Sequence, residues 1–433
     1  MNFTIKTKSE QYQILSVAKK YQEYILISMR KKFSDISVKN GLAWLKIGWF
    51  FHHFMLIIPV IVLIYVDKGV SVGDFFLIQG LFRLAAFLFE IPSGYLSDCF
   101  SRKRVMIAGA LFSLLGFTII AVAYGFWALV LGEAMLGISS ALFSGTLEAY
   151  TYDLMKRNKS QKQFLKEFGT ISTFASGATF IAAILGGVLF GYIGANGILW
   201  LESLFATIAV VALLFIPELS EIKRVAKQKS AVADAVSVTV NTLKNPKLRN
   251  LILFPSLFGA FTIVLLWIMQ PIMETAHVPV GLFGFYLGIN QLSAVFFAKY
   301  AYKLCEKLGE ISVSIITIIA IVVGVAMGLI ATHINSMPIV YIACAIMAVT
   351  PAIRMLNNLQ YNTLIHHSIK STERGTVLST RAMTSTILGA LFLIAGKFLM
   401  DGFGITVTLL FVLAMVTLLI WSLKNAAKYI NKK

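Results

Sequence analysis

The chain is poor in charged residues and in cysteine. Only 13% of its 433 residues are charged, while 58% are hydrophobic and the mean hydropathy is +0.80. Soluble domains carry about twice that share of charge. Of its three cysteines, Cys99 and Cys305 fall in predicted loops and Cys344 in a predicted span, so we expect neither a structural disulfide nor a metal cluster. These shortages exclude a soluble or disulfide-stabilised protein and place most of the chain in lipid.

The sequence also lacks a phosphate-binding glycine-rich loop and has no room for a soluble domain, which argues against ATP as the energy source. What recurs after residue 40 is the apolar stretch of roughly 20 residues that a membrane span needs. We therefore predict an all-α membrane protein whose twelve spans lie at about 41–66, 75–97, 105–123, 126–154, 165–190, 197–217, 250–272, 280–302, 311–332, 337–365, 375–399 and 403–423.

The net charge of +18 follows membrane topology and does not indicate a nucleic-acid partner. With the N-terminus inside, about 33 of the 38 basic residues fall in cytoplasmic segments. Both termini are then cytoplasmic, in what we expect to be a bacterial cytoplasmic membrane. The basic stretch 218–249 becomes a cytoplasmic linker between a six-span half at 41–217 and another at 250–423, and residues 424–433 form a basic tail.

Residues 1–40 are too polar and too long for a secretory signal, so we expect them to remain in the mature protein. Apolar residues at helical spacing with lysines nearby predict a helix that lies on the anionic cytoplasmic leaflet.

Ionisable residues separate the spans into two groups, because a charge in hydrocarbon is costly. Spans 3, 9 and 12 contain none and span 6 only Glu202, which predicts that these four form the outer wall. Spans 1, 2, 4, 10 and 11 are predicted to face inward, since they hold His52, His53, Arg83, Glu90, Glu133, Glu148, Arg354 and Arg381.

Two of the inward spans carry polar stripes. Span 4 aligns Glu133, Gly137, Ser140 and Ser144 on a narrow arc, and span 10 places Asn357, Asn358 and Tyr361 three, four and seven residues after Arg354. Small polar residues also serve as packing positions between membrane helices, and for the serines that interpretation is preferred. For Arg354 with its two asparagines a cavity is preferred, and we predict a substrate cavity formed by His52, His53, Arg83, Glu90, Glu133, Arg354, Asn357, Asn358 and Tyr361.

The loop between spans 2 and 3 is the most specific motif. Its residues Gly94-Tyr95-Leu96-Ser97-Asp98-Cys99-Phe100-Ser101-Arg102-Lys103-Arg104 resemble the signature loop of the major facilitator superfamily. A degenerate copy follows about 208 residues later, at Tyr302 to Glu310, as expected for two duplicated halves around a central site. The resemblance covers residues 40–425 and implies twelve helices in two pseudo-symmetric six-helix halves.

The resemblance also implies a cytoplasmic latch. In the family the loop acid faces the N-terminus of span 11, here near Gly375 and Thr376, and a partner acid closes span 4. The implied gate consists of Gly94, Asp98, Arg102, Lys103, Asp153 and Arg381. Independently of the resemblance, Gly94 would permit close contact between helices because it has no side chain.

The chain departs from the family pattern at three places. Ser101 replaces the usual glycine of the loop. Glu133 stands before Gly137 where proton-coupled drug exporters carry arginine, and the span-5 stretch that ends in Gly186 and Gly187 lacks the exporters' Gly-Pro step. A multidrug assignment is thereby weakened.

The leading functional hypothesis is a monomeric secondary transporter of a small solute, without cofactor or metal, coupled to protons through Glu133, Glu148 or Glu90. Superfamily prevalence favours export. A proton-coupled importer of a metabolite or chelator and a lipid flippase remain alternatives. A membrane metalloenzyme is disfavoured, because His52 and His53 are adjacent and lack the spacing of a metal pair. Arg83, Arg354 and Arg381 inside spans favour a substrate with a carboxylate or similar anionic group, bound between spans 4 and 10.

Overall fold

The computed structural model describes residues 39–219, 237, 239–334, 336–369 and 374–430. Within this range the side chains of Ile91, Tyr95, Asp98, Arg374 and Gly375 are not described. The predicted surface helix in 1–40 and most of the predicted linker fall outside the described residues. The described residues form helices, turns and irregular segments, and none of them forms a strand.

The helices match the twelve predicted spans, and we number them α1–α12 accordingly. Nine described helices are long and apolar enough to cross a membrane. Two of them, Gln161–Leu214 and Thr376–Ile430, are more than twice the length that a bilayer core requires, and each divides at a glycine. The bounds are as follows: α1, 39–52 and Ile61–Asp67 with a 3-10 turn at Ile58–Val60; α2, Val72–Cys99; α3, Arg102–Val122; α4, Phe126–Phe143 and Thr146–Arg157; α5 and α6, Phe164–Leu214, divided at Gly194; α7, Pro246–Thr275; α8, Phe283–Leu308; α9, Glu310–His333; α10, Met337–Ala352 and Arg354–His366; α11 and α12, Arg374–Ile430, divided at Gly404.

The two halves repeat each other's irregularities, which confirms the predicted internal duplication. The divisions at Gly194 and Gly404 have nearly the same backbone angles, with φ of 65° and 78° and ψ of −174° in both. Only glycine adopts that conformation without strain. Helix α4 breaks at Gly145, and α10 breaks at Ile353, 208 positions later. Broken helices at matching positions of two halves mark the region where such proteins bind their substrate.

Helix α1 is interrupted between His53 and Ile58. Pro59 explains the position, because its ring cannot donate a hydrogen bond and clashes with the carbonyl one turn earlier. Helices α5 and α6 supply the missing partners. The Ile57 amide donates to Glu202 Oε1 of α6 at 2.8 Å, and Thr179 of α5 donates to the His53 carbonyl at 3.2 Å. Irregular backbone at membrane depth is thus satisfied by neighbouring helices.

Candidate functional site

Contacts between the halves are concentrated at one end of the bundle. We call the end where α6 finishes and α7 begins the linker end, and the opposite end the far end. At the far end, the Val62 amide of α1 donates to Gln270 of α7 at 3.0 Å, and the Gln270 amide donates back to the Ile58 carbonyl at 2.8 Å. Helices α5 and α8 approach so closely that a Cβ on Gly187 would lie 3.0 Å from the Gly284 nitrogen.

An ion cluster joins α2 and α11 at the same end. Lys397 of α11 donates to Asp74 of α2 at 2.5 Å and to Asp401 of its own helix at 2.8 Å. Ser71, which begins α2, donates to Asp401 at 2.9 Å. We call these four residues the far-end lock. Every hydrogen bond between the halves whose two partners are both described lies at the far end.

At the linker end, the polar contacts between described residues of the predicted gate and their described partners lie within one half. Arg102 pairs with Asp153 and donates to the Ala149 carbonyl at 2.9 Å, and Lys103 donates to the Leu214 carbonyl at 2.8 Å. The predicted meeting of the loop with the end of α4 is therefore present. The side chain of Asp98 and the start of α11 at Gly375 lie outside the described side chains, so the latch to α11 stays a prediction.

Gly94 makes no close contact with a described helix, so its expected role in helix contact stays a prediction. A Cβ built there would have no described atom within 4 Å, and the residue is exposed. Closer to the far end, by contrast, α2 packs tightly on α11: a Cβ on Gly80 would lie 3.2 Å from the Ala390 carbonyl oxygen. Among the described residues, the halves therefore contact each other toward the far end and form no hydrogen bond with each other at the linker end; we call the space between the halves the cleft, and its far-end side the closed end.

Arg83 and Arg354 lie near the closed end of this cleft. Arg83 of α2 packs against Gly389 of α11, and its guanidinium interacts electrostatically with that of Arg354 on α10. Neither arginine has a hydrogen bond or an ion pair within the described part of the chain. Arg381 differs, since it donates to Asn358 and Asn362 of α10. Two guanidinium groups of opposite halves, neither paired with a described residue, thus lie within electrostatic reach of each other.

Two residues of the α10 stripe, Asn357 and Tyr361, pack away from Arg354 against α9, contrary to expectation. Asn357 is fully buried and donates to Thr317 of α9 at 3.3 Å, and the Tyr361 hydroxyl lies 3.1 Å from the Ser314 hydroxyl. Helix α9 was predicted to be an uncharged outer wall, yet it supplies hydroxyl partners for both. The packing interpretation is correct for these two residues.

Glu133 is buried in the N-terminal half. Its Oε1 accepts hydrogen bonds from the Tyr65 hydroxyl of α1 at 2.6 Å and from the Gln79 amide of α2 at 2.7 Å. Only 3% of the residue is exposed, and within the described residues no cation contacts it. A carboxylate at membrane depth whose described hydrogen-bond donors are all neutral is a candidate residue for coupling proton binding to transport.

The other two predicted proton carriers lie near the break of α4. The Ser144 hydroxyl donates to Glu90 at 2.8 Å, which links Glu90 to α4. Glu148 stands in the first turn after the break, where a helix N-terminus favours a carboxylate.

A cavity of about 480 Å³ extends inside the N-terminal half, and we call it the N-half chamber. Three residues of the predicted substrate cavity line it: His52, His53 and Glu133. Helix α3, which we expected to be outer wall, contributes Ser113, Phe117 and Ile120. Only Trp267 comes from the C-terminal half, and the remaining walls are Trp49, Met55, Ile57, Ile58, Ile61, Gln79, Phe82, Leu136, Ser139, Ser140, Phe143, Ser144, Gly145, Leu147, Glu148 and Phe168.

Sequence reasoning missed Glu202 and the far-end lock. Glu202 is 2% exposed beneath the α1 break instead of lying on an outer wall. The sequence feature that could have identified Glu202 is that it is the single charged residue of predicted span 6. The lock residues Asp74 and Lys397 stand near predicted span ends, where charges are common, so nothing in the sequence pairs them. Among the described residues there is no group of three metal-ligating side chains.

The chain is similar to known transporters. Residues 50–392 match the family model described as Major Facilitator Superfamily. An uncharacterized transporter of Buchnera aphidicola, BU466, is 25% identical over 256 residues, which cover 56% of this chain and 62% of that protein. The inner membrane transport protein YajR of Escherichia coli is 27% identical over 138 residues, or 32% of this chain and 29% of YajR. The matched regions therefore span less than two thirds of either relative.

Solved structures share the fold over nearly the whole chain. The nucleoside transporter NupG has a TM-score of 0.75 at 16% identity, covering 91% of this chain and 100% of NupG. A bacterial homologue of the iron transporter ferroportin, solved in an inward-facing state, has a TM-score of 0.66 at 14% identity, covering 92% of this chain and 99% of its own. At such identities the likeness shows the fold alone.

Proposed function

Because the chain belongs to the Major Facilitator Superfamily and is a membrane transporter, we propose that it is a secondary active transporter that exports an organic anion at the expense of the proton gradient. The observation that carries this proposal is that Arg83 and Arg354 interact electrostatically near the closed end of the cleft while neither has a hydrogen-bond or ion-pair partner among the described residues. Two guanidinium groups repel each other, and a carboxylate or phosphate bound between them would relieve that repulsion with bidentate hydrogen bonds.

The proposed orientation puts the linker end in the cytoplasm. The distribution of basic residues supports this orientation. The likeness to YajR, an inner membrane transport protein, supports a location in the bacterial inner membrane. In this orientation the cleft faces inward, and the far-end lock closes the outer side. Export is the proposed direction because superfamily prevalence favours it. Arg102 and Asp153, with Asp98 and the start of α11, are proposed to close the inner side in the alternate state.

Glu133 is the proposed proton-binding residue. It is buried, has only neutral hydrogen-bond partners, and lies one helix away from Arg83, since its donor Gln79 stands four residues before that arginine on α2. Substrate at the arginines and a proton at Glu133 would then act through the same segment of α2. Glu90 and Glu148, nearer the linker end, are proposed to exchange protons with the cytoplasm.

The test is uptake into inverted vesicles and efflux from cells, with a panel of organic anions, cations and neutral solutes. Cells with and without the protein are compared, each with and without an uncoupler. Arg83→Gln and Arg354→Gln should each abolish anion transport while the thermal unfolding temperature stays near wild type. Arg104→Gln removes an exposed arginine of α3 and is the matched control. If Arg354→Gln unfolds the protein, or leaves the affinity for every transported solute unchanged, the anion assignment is wrong.

Proton coupling is tested separately with Glu133→Gln, which keeps a neutral hydrogen-bonding group in the same volume. Exchange of labelled for unlabelled substrate across the membrane should continue, while accumulation driven by a proton gradient should stop. If the variant still accumulates substrate and the uncoupler still prevents it, the coupling proton binds elsewhere. Vesicles reconstituted with labelled phospholipid test the flippase alternative. If the proposed function is correct, the protein should not transfer lipid between the leaflets.

A further inference from the structure

We propose that the N-half chamber binds an aromatic body of the transported solute, so that the substrate is a ring-bearing organic anion with a hydrogen-bonding substituent on its ring. This inference rests on the proposed function, which supplies the anionic end at Arg83 and Arg354. It adds a second binding region and a chemical class for what occupies it.

The size and walls of the chamber suit an organic ring. At about 480 Å³ it lies within the range of small-molecule sites, which are mostly apolar with a few polar groups. Aromatic side chains from α1, α2, α3, α4, α5 and α7 surround it: Trp49, Phe82, Phe117, Phe143, Phe168 and Trp267. Aromatic walls favour aromatic occupants through stacked and edge-to-face contacts.

Two buried polar atoms on its walls have no partner. These are His52 Nδ1 and Ser139 Oγ. They belong to one region, because the His52 ring lies 4.4 Å from the Phe143 ring and Ser139 is one helical turn before Phe143 on α4. Buried polar groups are nearly always hydrogen-bonded, so two orphans on one cavity wall point to a ligand group or an ordered water. A hydroxyl or amide on a bound ring would satisfy both.

The chamber is adjacent to the arginine pair. Gln79 and Phe82 line it, and Arg83 follows Phe82 directly and lies one turn after Gln79 on α2. Residues one turn apart on a helix have Cβ atoms roughly 5–6 Å apart. One solute can therefore place its ring in the chamber and its anionic group at Arg83. Trp267, the lining residue from α7, would connect ring binding to the C-terminal half.

A neighbouring cavity lies beside the chamber on the side of the linker end. A second cavity of about 490 Å³ shares Gly145 and Glu148 with it and continues along Arg102, Asp153 and the neighbouring side chains of α4 and α5. The break of α4 at Gly145 lies where the two cavities meet. A solute in the proposed cytoplasmic compartment could thus reach the chamber in the conformation that the structure shows.

The experiment measures binding of named probes to the purified full-length protein by calorimetry and thermal shift. The probes are acetate, benzoate and 4-hydroxybenzoate, with phenol as the neutral analogue. We expect 4-hydroxybenzoate to bind at least about tenfold more tightly than acetate. Ser139→Leu, which fills the chamber, should remove that preference and leave acetate binding unchanged. Ser172→Leu is the matched control, since Ser172 is exposed on α5 and does not line the chamber.

A second pair of variants keeps the test decisive if Ser139→Leu does not fold. Ser139→Ala should lower only the preference for 4-hydroxybenzoate over benzoate. Leu136→Ala enlarges the chamber and should shift the preference toward 6-hydroxy-2-naphthoate. Equal binding of acetate and the ring-bearing acids to wild type, or chamber variants that leave their ratio unchanged, would mean that the chamber holds only water and would overturn this inference alone. Loss of all three anions in Arg354→Gln supports the proposed function, whereas no anion binding to wild type overturns both.

Discussion

Replacing Lys397 by glutamine should open the far end of the bundle. The lysine makes the only ion pair between the halves within the described residues, to Asp74 of α2. Its second partner, Asp401, lies on its own helix and does not by itself hold the halves together. Removing the ammonium would leave Asp74 and Asp401 facing each other without a cation, and their repulsion acts in the same direction as the lost attraction.

The size of the effect follows from the exposure of the lock. The side chains of Lys397, Asp74 and Asp401 are 22%, 29% and 37% exposed, so solvent screens the pair and it contributes about 0.5–1 kcal/mol. Weakening of the Ser71 hydrogen bond to Asp401 adds about 0.5–1 kcal/mol. A total of about 1–2 kcal/mol corresponds to a shift of roughly 5- to 30-fold in the ratio of open to closed molecules.

Pulsed electron spin resonance can read that ratio. Spin labels are placed at Asp67→Cys and Glu274→Cys, exposed positions at the far ends of α1 and α7, after the three native cysteines have been replaced by serine. The variant should move population from the short to the long distance, and about 1 M salt should do the same in the parent protein because screening weakens exposed pairs.

Lys46→Gln is the matched control. Lys46 pairs with Glu167 at 2.8 Å, with side chains 21% and 20% exposed, but both residues belong to the N-terminal half. Breaking this pair should leave the far-end distance unchanged. An unaltered distribution in Lys397→Gln, or an equal shift in both variants, would refute the lock.

Three further outcomes are expected. Asp98→Asn and Arg102→Ala should slow transport at near-normal membrane abundance, because a latch sets the balance of states; full transport rates in both variants across ionic conditions would exclude it. Glu202→Ala should cost about 1–3 kcal/mol in thermal unfolding, since a buried amide of the α1 break loses its acceptor; an unchanged unfolding temperature would contradict this role. Gly186→Ala should destabilise by a similar amount, because its Cβ would lie 2.1 Å from the Leu56 carbonyl oxygen; normal stability would show that α1 can shift.

Composition and spacing were sufficient to predict the fold. The bilayer sets the length of the apolar stretches and the alternation of charge between loops, and duplication sets the 208-residue repeat. All three features can therefore be recognised from the sequence alone. The prediction for α10 went wrong because spacing gives the face of a helix but not its neighbour. Asn357 and Tyr361 follow the expected period, yet their face meets Thr317 and Ser314 of α9.

The same reason explains the other misses. The partners of Glu202 and Lys397 lie 145 and 323 residues away, at Ile57 and Asp74. No local pattern records pairings of that range. The N-half chamber, too, depends on how α3 packs beside α1 and α4, which its uniformly apolar sequence does not reveal.

The broken helix α1 has a consequence for biogenesis. It is synthesised before α5 and α6, and the groups that satisfy its exposed backbone follow more than a hundred residues later, at Thr179 on α5 and Glu202 on α6. Until they arrive, polar backbone atoms at membrane depth remain without partners. The N-terminal half should therefore mature only when its sixth helix has been inserted, and nascent chains stalled before residue 202 should be held by insertion factors or degraded.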